Sequence, residues 1–461
     1  MPFPDKVMPR VSEVATEHKV TQTPSLPGSN GGVGFHYYPD SEHYRSQDLA
    51  AWLPELQSLG ARWLTVRGEL GRAIPEVFLA PLLQAGITPI VHIPVNPIQS
   101  LDPDDLRGLL RAYANWGVQY VVVFDRANMR ESWQSGAFEQ RQLPDRFVSC
   151  WLPVALAQLE CGLRPVLPPL QQGGTYWDTS FYSGVLQSLA DNGAQQVIDR
   201  LVIGVYSFAG PHPPDWGRGG NTAWHASGPY LTPPGSQDQR GFWSFEWYAE
   251  VFDEVLGEVP PMIMLAGGAR RSETDQPSAL PKNLAWHTTC NASIARAMVA
   301  GHLPDYMLNV NFWLLCAAPE SQYAGDAWFT TGAEPLPAAN ELQRLGVNST
   351  RVDRNAGRDY VESLGSQKPL RHYVLLPSFD WGPSEWHWQL ARPLVRDDET
   401  SCGYSLEAAA KAERVTLVGG ENEIGVDLAR RLQQAGCQVS RVSGDLINAS
   451  AHNEILPELP T

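Results

Sequence analysis

Short apolar runs alternate with amphipathic stretches over most of the chain. Val33 to Tyr38 predicts a first strand. Between Leu49 and Leu59 the apolar residues fall at Leu49, Trp52, Leu53, Leu56 and Leu59, a helical spacing, and Gly60 stops it. Ala61 to Arg67 predicts strand two, Val77 to Ala85 a helix closed by Gly86, and Ile87 to Val95 strand three. Leu106 to Trp116 reads as a helix closed by Gly117, and Val118 to Phe124 as strand four. Further on, Phe147 to Glu160, Ser183 to Asn192, Phe242 to Leu256 and Asn283 to Ala300 read as helices. Between them lie strands at Arg164 to Leu170, Leu201 to Phe208, Pro261 to Leu265 and Tyr306 to Leu315.

Eight strands with intervening helices require parallel pairing through helical crossovers. That is the count of a closed barrel, so the expected class is α/β, a (β/α)8 TIM barrel. A doubly wound open sheet is the competing architecture. It usually carries a glycine-rich phosphate loop after strand one, and His36-Tyr37-Tyr38-Pro39 is not one. The expected organisation is an extended N-terminal arm over 1–30, the barrel over 31–335 and a C-terminal extension over 336–461. The extension holds a strand at His372 to Pro377. A small βαβ module follows, at Arg414 to Val418, Val426 to Ala435 and Gln438 to Val442. Trp381, Trp386 and Trp388 offer apolar faces that pack such a small module onto the barrel. The segment from Ala209 to Gly241, rich in Gly, Pro, Trp and His, is the longest loop, and loops of that length are usually functional or disordered.

Of the 461 residues, 43% are apolar, enough for a large core. The formal net charge of -16 disfavours nucleic acid and anionic membranes as partners. The 16 Trp suit a sugar-binding cleft, where indole faces stack on pyranose rings, and equally suit core packing. None of the six cysteines forms a Cys-x-x-Cys pair, and no metal site or cofactor is expected. The first 30 residues lack the apolar run of a signal peptide, and no stretch of about 18 apolar residues occurs. A cytoplasmic protein is the expectation.

In a barrel the chemistry sits where the strands end. Strand one ends at His36 and Tyr37, strand two at Arg67-Gly68-Glu69, strand six at Tyr206 and strand eight at Asn311-Phe312-Trp313. His212 and Trp216 lie on the long loop. Strand four runs Tyr120-Val121-Val122-Val123-Phe124-Asp125-Arg126-Ala127-Asn128, with Trp133 shortly after.

That last segment resembles the Asn-Glu-Pro-Asn motif of retaining glycoside hydrolases such as family 39. The resemblance implies a general acid/base at the glutamate position, where this chain has Arg126, and a contact to the sugar 2-hydroxyl at the position of Asp125, while Asn128 matches the motif's last Asn. It also implies a nucleophilic glutamate at the end of strand seven, where Met262-Ile263-Met264-Leu265 is followed by Ala266-Gly267-Gly268. Retaining enzymes place two carboxylates ~5 to 5.5 Å apart. An arginine stays protonated at working pH, and a methyl group cannot attack an anomeric carbon.

The implied function is a glycosidase-like barrel without its catalytic pair, acting as a carbohydrate-binding or structural and assembly protein. The alternative is an active glycoside hydrolase using relocated carboxylates, with Asp125, Glu131 and Glu69 as candidates. Expected ligand-binding residues are His36, Tyr37, Arg67, Arg126, Asn128, Tyr206, His212, Trp216 and Trp313. Arg126 in a partly dry cleft needs an acidic partner, either Glu69 or Asp125. Expected partners are a carbohydrate ligand, and a second copy or another protein reached through the N-terminal arm or the C-terminal module.

Overall fold

Eight parallel strands close on themselves in the computed structural model, with β1 paired to both β2 and β8. The structure describes residues 32–139, 142–271, 284–346, 368, 370–377, 379, 383–395 and 400–443. The arm expected over 1–30 and Trp381 lie outside the described residues.

The barrel strands are β1 (Val33–His36), β2 (Trp63–Arg67), β3 (Thr88–Ile93), β4 (Tyr120–Val123), β5 (Arg164–Leu167), β6 (Val202–Phe208), β7 (Met262–Gly268) and β8 (Val310–Phe312). Around them run α1 (Ser46–Ser58), α2 (Glu76–Gln84), α3 (Pro103–Asn115), α4 (Leu143–Glu160), α5 (Asp178–Asp191), the short α6 (Gln195–Ile198) and α7 (Gly220–Ala223), α8 (Ser244–Leu256) and α9 (Leu284–Val299). Next comes α10 (Pro337–Leu345). Its Arg344 side bonds Glu341, which also accepts Arg296 of α9 at 2.8 Å, and Gln343 donates to Ser58 of α1 at 3.1 Å. It thus fills the ring between α9 and α1, the place of an eighth barrel helix, beyond the boundary at 335 expected from sequence. Its Ala338, Ala339 and Leu342 are buried, but the run is too short and polar to stand out in the sequence.

Strand alternation divides the side chains into two cores. Trp63, Ile90, Tyr120, Val122, Val166, Val202, Ile263, Leu265 and Leu308 fill the lumen. The opposite faces pack under the helices in a larger core that includes Phe35, Tyr37, Val121 and Met264. Above the apolar lumen lies a polar layer. Asn309 donates to Asn311 at 2.8 Å, and Asn311 donates to Thr65 at 2.8 Å. Gly34 is required here, because a Cβ at that position would collide with the Asn311 side chain and the Trp63 carbonyl.

The C-terminal part differs from the single βαβ unit expected. It is a four-stranded parallel sheet in the order β10-β9-β11-β12, from β9 (Leu370–Leu375), β10 (Thr400–Gly403), β11 (Ala412–Val418) and β12 (Gln438–Val442). Helices α11 (Glu385–Ala391), α12 (Leu406–Ala410) and α13 (Val426–Gln434) accompany it. β10 is the strand that pattern reading misses. Thr-Ser-Cys-Gly has neither the length nor the branched apolar residues that mark a strand. Ser384 and Glu423 hold His387 of α11 from either side, at 2.7 and 3.1 Å, tying α11 to the loop after β11. The module sits on the barrel. Trp388, Val395 and Tyr404 join the main core, Glu76 accepts the Tyr404 amide at 3.1 Å, and Arg111 donates to the Val395 carbonyl at 2.6 Å.

All six cysteines are free thiols. Among the described residues no helix is long and apolar enough to cross a membrane.

Candidate binding site at the barrel mouth

The chain bends sharply as β4 ends. Phe124 and Arg126 both adopt left-handed backbone angles, with φ of 77° and 42°. Bulky side chains avoid that region, so the bend must be held by its surroundings. Phe124 donates its amide to the Ile93 carbonyl at 3.0 Å, and its own carbonyl accepts His92 Nε2 at 3.1 Å. Arg126 donates its amide to the Pro169 carbonyl at 3.0 Å. Clamped between β3 and the loop after β5, the bend turns Asp125 and Arg126 to the mouth.

Asp125 is held twice. Arg126 Nε donates to its Oδ2 at 2.9 Å and Tyr206 Oη to its Oδ1 at 3.0 Å. The carboxylate is 14% exposed and the guanidinium 45%. Of the two expected acidic partners for Arg126, the structure uses Asp125. Its charge, more than its hydrogen bond, holds the guanidinium protonated, against the opposing effect of burial. Burial and the adjacent Asp125 push the Tyr206 phenol well above its ordinary range, so it donates as a neutral hydroxyl.

Trp313 forms the other side. His36 lies against it, with ring centroids 4.7 Å apart, Tyr323 meets it edge-on at 5.2 Å and Phe208 at 6.5 Å. Its indole Nε1 donates to Asp326 at 3.3 Å. The Arg270 guanidinium stacks over the Phe208 ring, 3.9 Å from its centroid. His36 is 4% exposed, and burial, His92 and Arg67 in that order push its pKa down to about 3. His92 is lowered too, chiefly by burial. Both imidazoles are therefore neutral at physiological pH. Arg67 ends β2 in register with His92, and its side chain is exposed.

His36, Arg67, Asp125, Arg126, Tyr206 and Trp313 therefore come together at one mouth. Other expected residues do not. Tyr37 points outward, wholly buried among Tyr38, Tyr44, Trp52 and Phe78, because it follows His36 by one position and alternation sends it to the opposite face. Asn128 is fully buried. Its amide donates to the carbonyls of Gln171 and Tyr176 and accepts the Gln171 amide, which uses it to join two loops and leaves nothing for a ligand. His212 and Trp216 stack on each other at 4.1 Å, and Trp216 donates to Asp238 at 3.2 Å, so they fold the long loop onto itself. That loop is anchored to α8. Trp243 and Trp247 donate to the carbonyls of Pro214 and Gly217, and Glu250 accepts the amides of Asn221 and Thr222.

The candidate carboxylates also separate. Glu69 is taken by Ser41 and by Arg72 at 3.1 Å, and Glu131 is exposed on a single 3-10 turn. At the end of β7, Ala266 is wholly buried and followed by two glycines. Phe208, Arg270 and Tyr323 were not among the expected site residues. Phe208 was within reach, since it follows Tyr206 by two positions on one strand. Arg270 lies just past β7, and a lone arginine there has no sequence signal that sets it apart from a surface cation. Nothing local marks Tyr323, which reaches Trp313 from a long loop.

No family model matches the sequence, and no curated protein matches it. Among solved structures the chain is similar to a family 39 glycoside hydrolase from Bacteroides cellulosilyticus WH2, at 10% identity over 68% of this chain and 62% of that one, with a TM-score of 0.46. It is also similar to a monomeric beta-xylosidase from Caulobacter crescentus CB15, at 13% identity over 70% and 69% of the two chains, with a TM-score of 0.44. A third is a Bacteroides uniformis beta-glucuronidase, at 11% identity over 75% of this chain and 38% of that one, with a TM-score of 0.45. The chain thus spans less than two thirds of the length of the first and third.

Proposed function

We propose that this protein is a glycosidase-like barrel that binds a carbohydrate at its mouth without hydrolysing it, a pseudoenzyme in the sense that the catalytic pair is gone. The observation that carries the reading is the state of Asp125. It is the carboxylate that the end of β4 sets into the mouth, and both its oxygens are engaged, by Arg126 and by Tyr206. Retaining and inverting hydrolysis both need two carboxyl groups, one of them a proton donor. Here a permanently charged guanidinium stands beside the acid, and the end of β7 offers Ala266 and two glycines. The sugar-binding half of the reading rests on Trp313 with Tyr206, His36 and Phe208, an aromatic wall with polar tips of the kind that receives a pyranose.

The test pairs two measurements on the purified protein. Aryl β-glycosides are assayed for release of the aryl alcohol, and a panel of oligosaccharides is titrated by calorimetry. The expected result is binding without turnover. Turnover abolished by Asp125→Asn would replace this reading with hydrolysis by relocated carboxylates. Neither binding nor turnover would make the barrel a structural or assembly subunit.

A further inference from the structure

Arg67 is the cation at the mouth that is left unengaged. Its carbonyl accepts Tyr44 Oη at 2.7 Å, but its guanidinium makes no hydrogen bond or ion pair among the described residues, and the side chain is exposed. Its charge reaches inward all the same, acting on His36, His92 and Tyr206. It also acts on the Asp40 carboxylate, though no hydrogen bond or ion pair joins Arg67 to Asp40. Asp125 holds Arg126 and accepts Tyr206, while Asp40 faces His43 at 3.5 Å and accepts the Glu42 amide at 3.0 Å. Further guanidinium groups, Arg126 and Arg270, flank the same opening.

A second feature lies at the base of the same wall. His36 is 4% exposed, lies tilted against Trp313, and its Nδ1 makes no well-aligned hydrogen bond, with the Tyr38 backbone as a weak neighbour. A buried ring nitrogen without a well-aligned partner is costly, and such groups mark places where a ligand or water completes the set. A guanidinium offers a planar fork of donors that matches a carboxylate or a sulfate.

We propose that the ligand of this mouth is an anionic saccharide, one that bears a carboxylate or sulfate group. The anion docks on Arg67 while the sugar ring lies against Trp313. The inference rests on the carbohydrate-binding reading above and adds the charge of the ligand.

The experiment is a calorimetric titration of the full chain with three probes: a uronate disaccharide, its carboxyl-reduced neutral counterpart, and a sulfated disaccharide. The same titrations are run on Arg67→Gln and Arg67→Lys. At least one anionic probe is expected to bind about 10-fold or more tighter than the neutral one, a gap of ~1.4 kcal/mol. The gap should shrink as salt rises. Arg67→Gln should erase it, with an unchanged melting temperature reporting that the variant is folded. Arg67→Lys should restore part of it. Preference for the uronate or for the sulfated probe identifies the anion. Equal affinity for neutral and anionic probes overturns the inference and leaves the carbohydrate-binding reading standing. Binding of none of the three overturns both. An anionic preference that survives Arg67→Gln overturns the assignment to Arg67.

Discussion

Tyr206 on β6 donates to Asp125 just past β4 at 3.0 Å, bridging across the barrel mouth, while the neighbouring Arg126 takes the other carboxylate oxygen at 2.9 Å. The two bonds differ in surroundings. Tyr206 is partly buried and Asp125 is 14% exposed, whereas Arg126 is 45% exposed and its pairing is screened by water. Double-mutant cycles with Tyr206→Phe, Arg126→Gln and Asp125→Asn, read by chemical denaturation, should therefore rank the couplings. Tyr206 with Asp125 should give ~1.5 to 3 kcal/mol, as a hydrogen bond to a charged group does. Arg126 with Asp125 should give less than ~1 kcal/mol. The reverse order would mean that the ion pair is drier than its exposure implies.

Acid should destabilise the protein before its carboxylates titrate. The pKa of His36 falls to about 3 in the folded state and that of His287 to about 4, both chiefly because burial disfavours the charged ring. The unfolded chain takes up protons near the ordinary value of ~6.5, and the folded chain does not. Stability is thus full above about pH 6.5 and is lost as the pH falls toward the folded values of 4 and 3. The melting temperature should drop between pH 6.5 and 4, and His36→Gln should flatten that slope while lowering stability at pH 7. A pH-independent melting temperature over this range would show that both rings are protonated in the native state.

Trp313 should decide ligand contact and contribute less to the fold. It is only partly buried, wedged between His36, Phe208 and Tyr323. Trp313→Ala should weaken saccharide binding by ~10-fold or more, since stacked aromatic contacts are worth ~0.5 to 1.5 kcal/mol beyond their buried area. Trp313→Phe should recover part of that loss. Unchanged affinity in Trp313→Ala would place the sugar elsewhere on the mouth.

The barrel was legible because its cause is local and repeated. Leu49, Trp52, Leu53 and Leu56 announce α1, and Gly60, Gly86 and Gly117 end α1, α2 and α3 in left-handed turns. The mouth was legible where residues close a strand, as with His36, Arg67 and Tyr206. It failed by a single position at Tyr37, where alternation sends the side chain outward. It failed at Asn128 for a different reason. An amide near a strand end satisfies backbone groups as readily as sugar hydroxyls, and only the positions of Gln171 and Tyr176 decide which. The β10 strand and the α10 helix were missed because tertiary neighbours hold them in place. β10 pairs with β9, and α10 wedges between α9 and α1.

The last prediction concerns how the C-terminal sheet sits on the barrel. Gly403 ends β10 at that junction. A Cβ there would lie 2.8 Å from Trp116 Nε1 and 2.9 Å from Glu76 Oε2, and would also collide with the Tyr373 hydroxyl. Trp116 follows α3 and Glu76 opens α2, so two of the three neighbours belong to the barrel. Glu76 cannot simply move away, because it accepts the Tyr404 amide at 3.1 Å. Gly403→Ala should therefore push the module off α2 and α3, with an overpacking cost of ~1 to 3 kcal/mol. Gly420→Ala is the control, since the nearest atom to a Cβ there, Glu423 Oε2, is 3.7 Å away. Limited proteolysis should cut Gly403→Ala sooner than Gly420→Ala or the parent chain, and its melting temperature should fall. Trp388→Ala, which empties a site only 1% exposed within the main core, should cost more, ~3 to 5 kcal/mol. Identical proteolysis and melting in Gly403→Ala and Gly420→Ala would show that the contact with Trp116 and Glu76 relaxes freely and that the module is held from elsewhere.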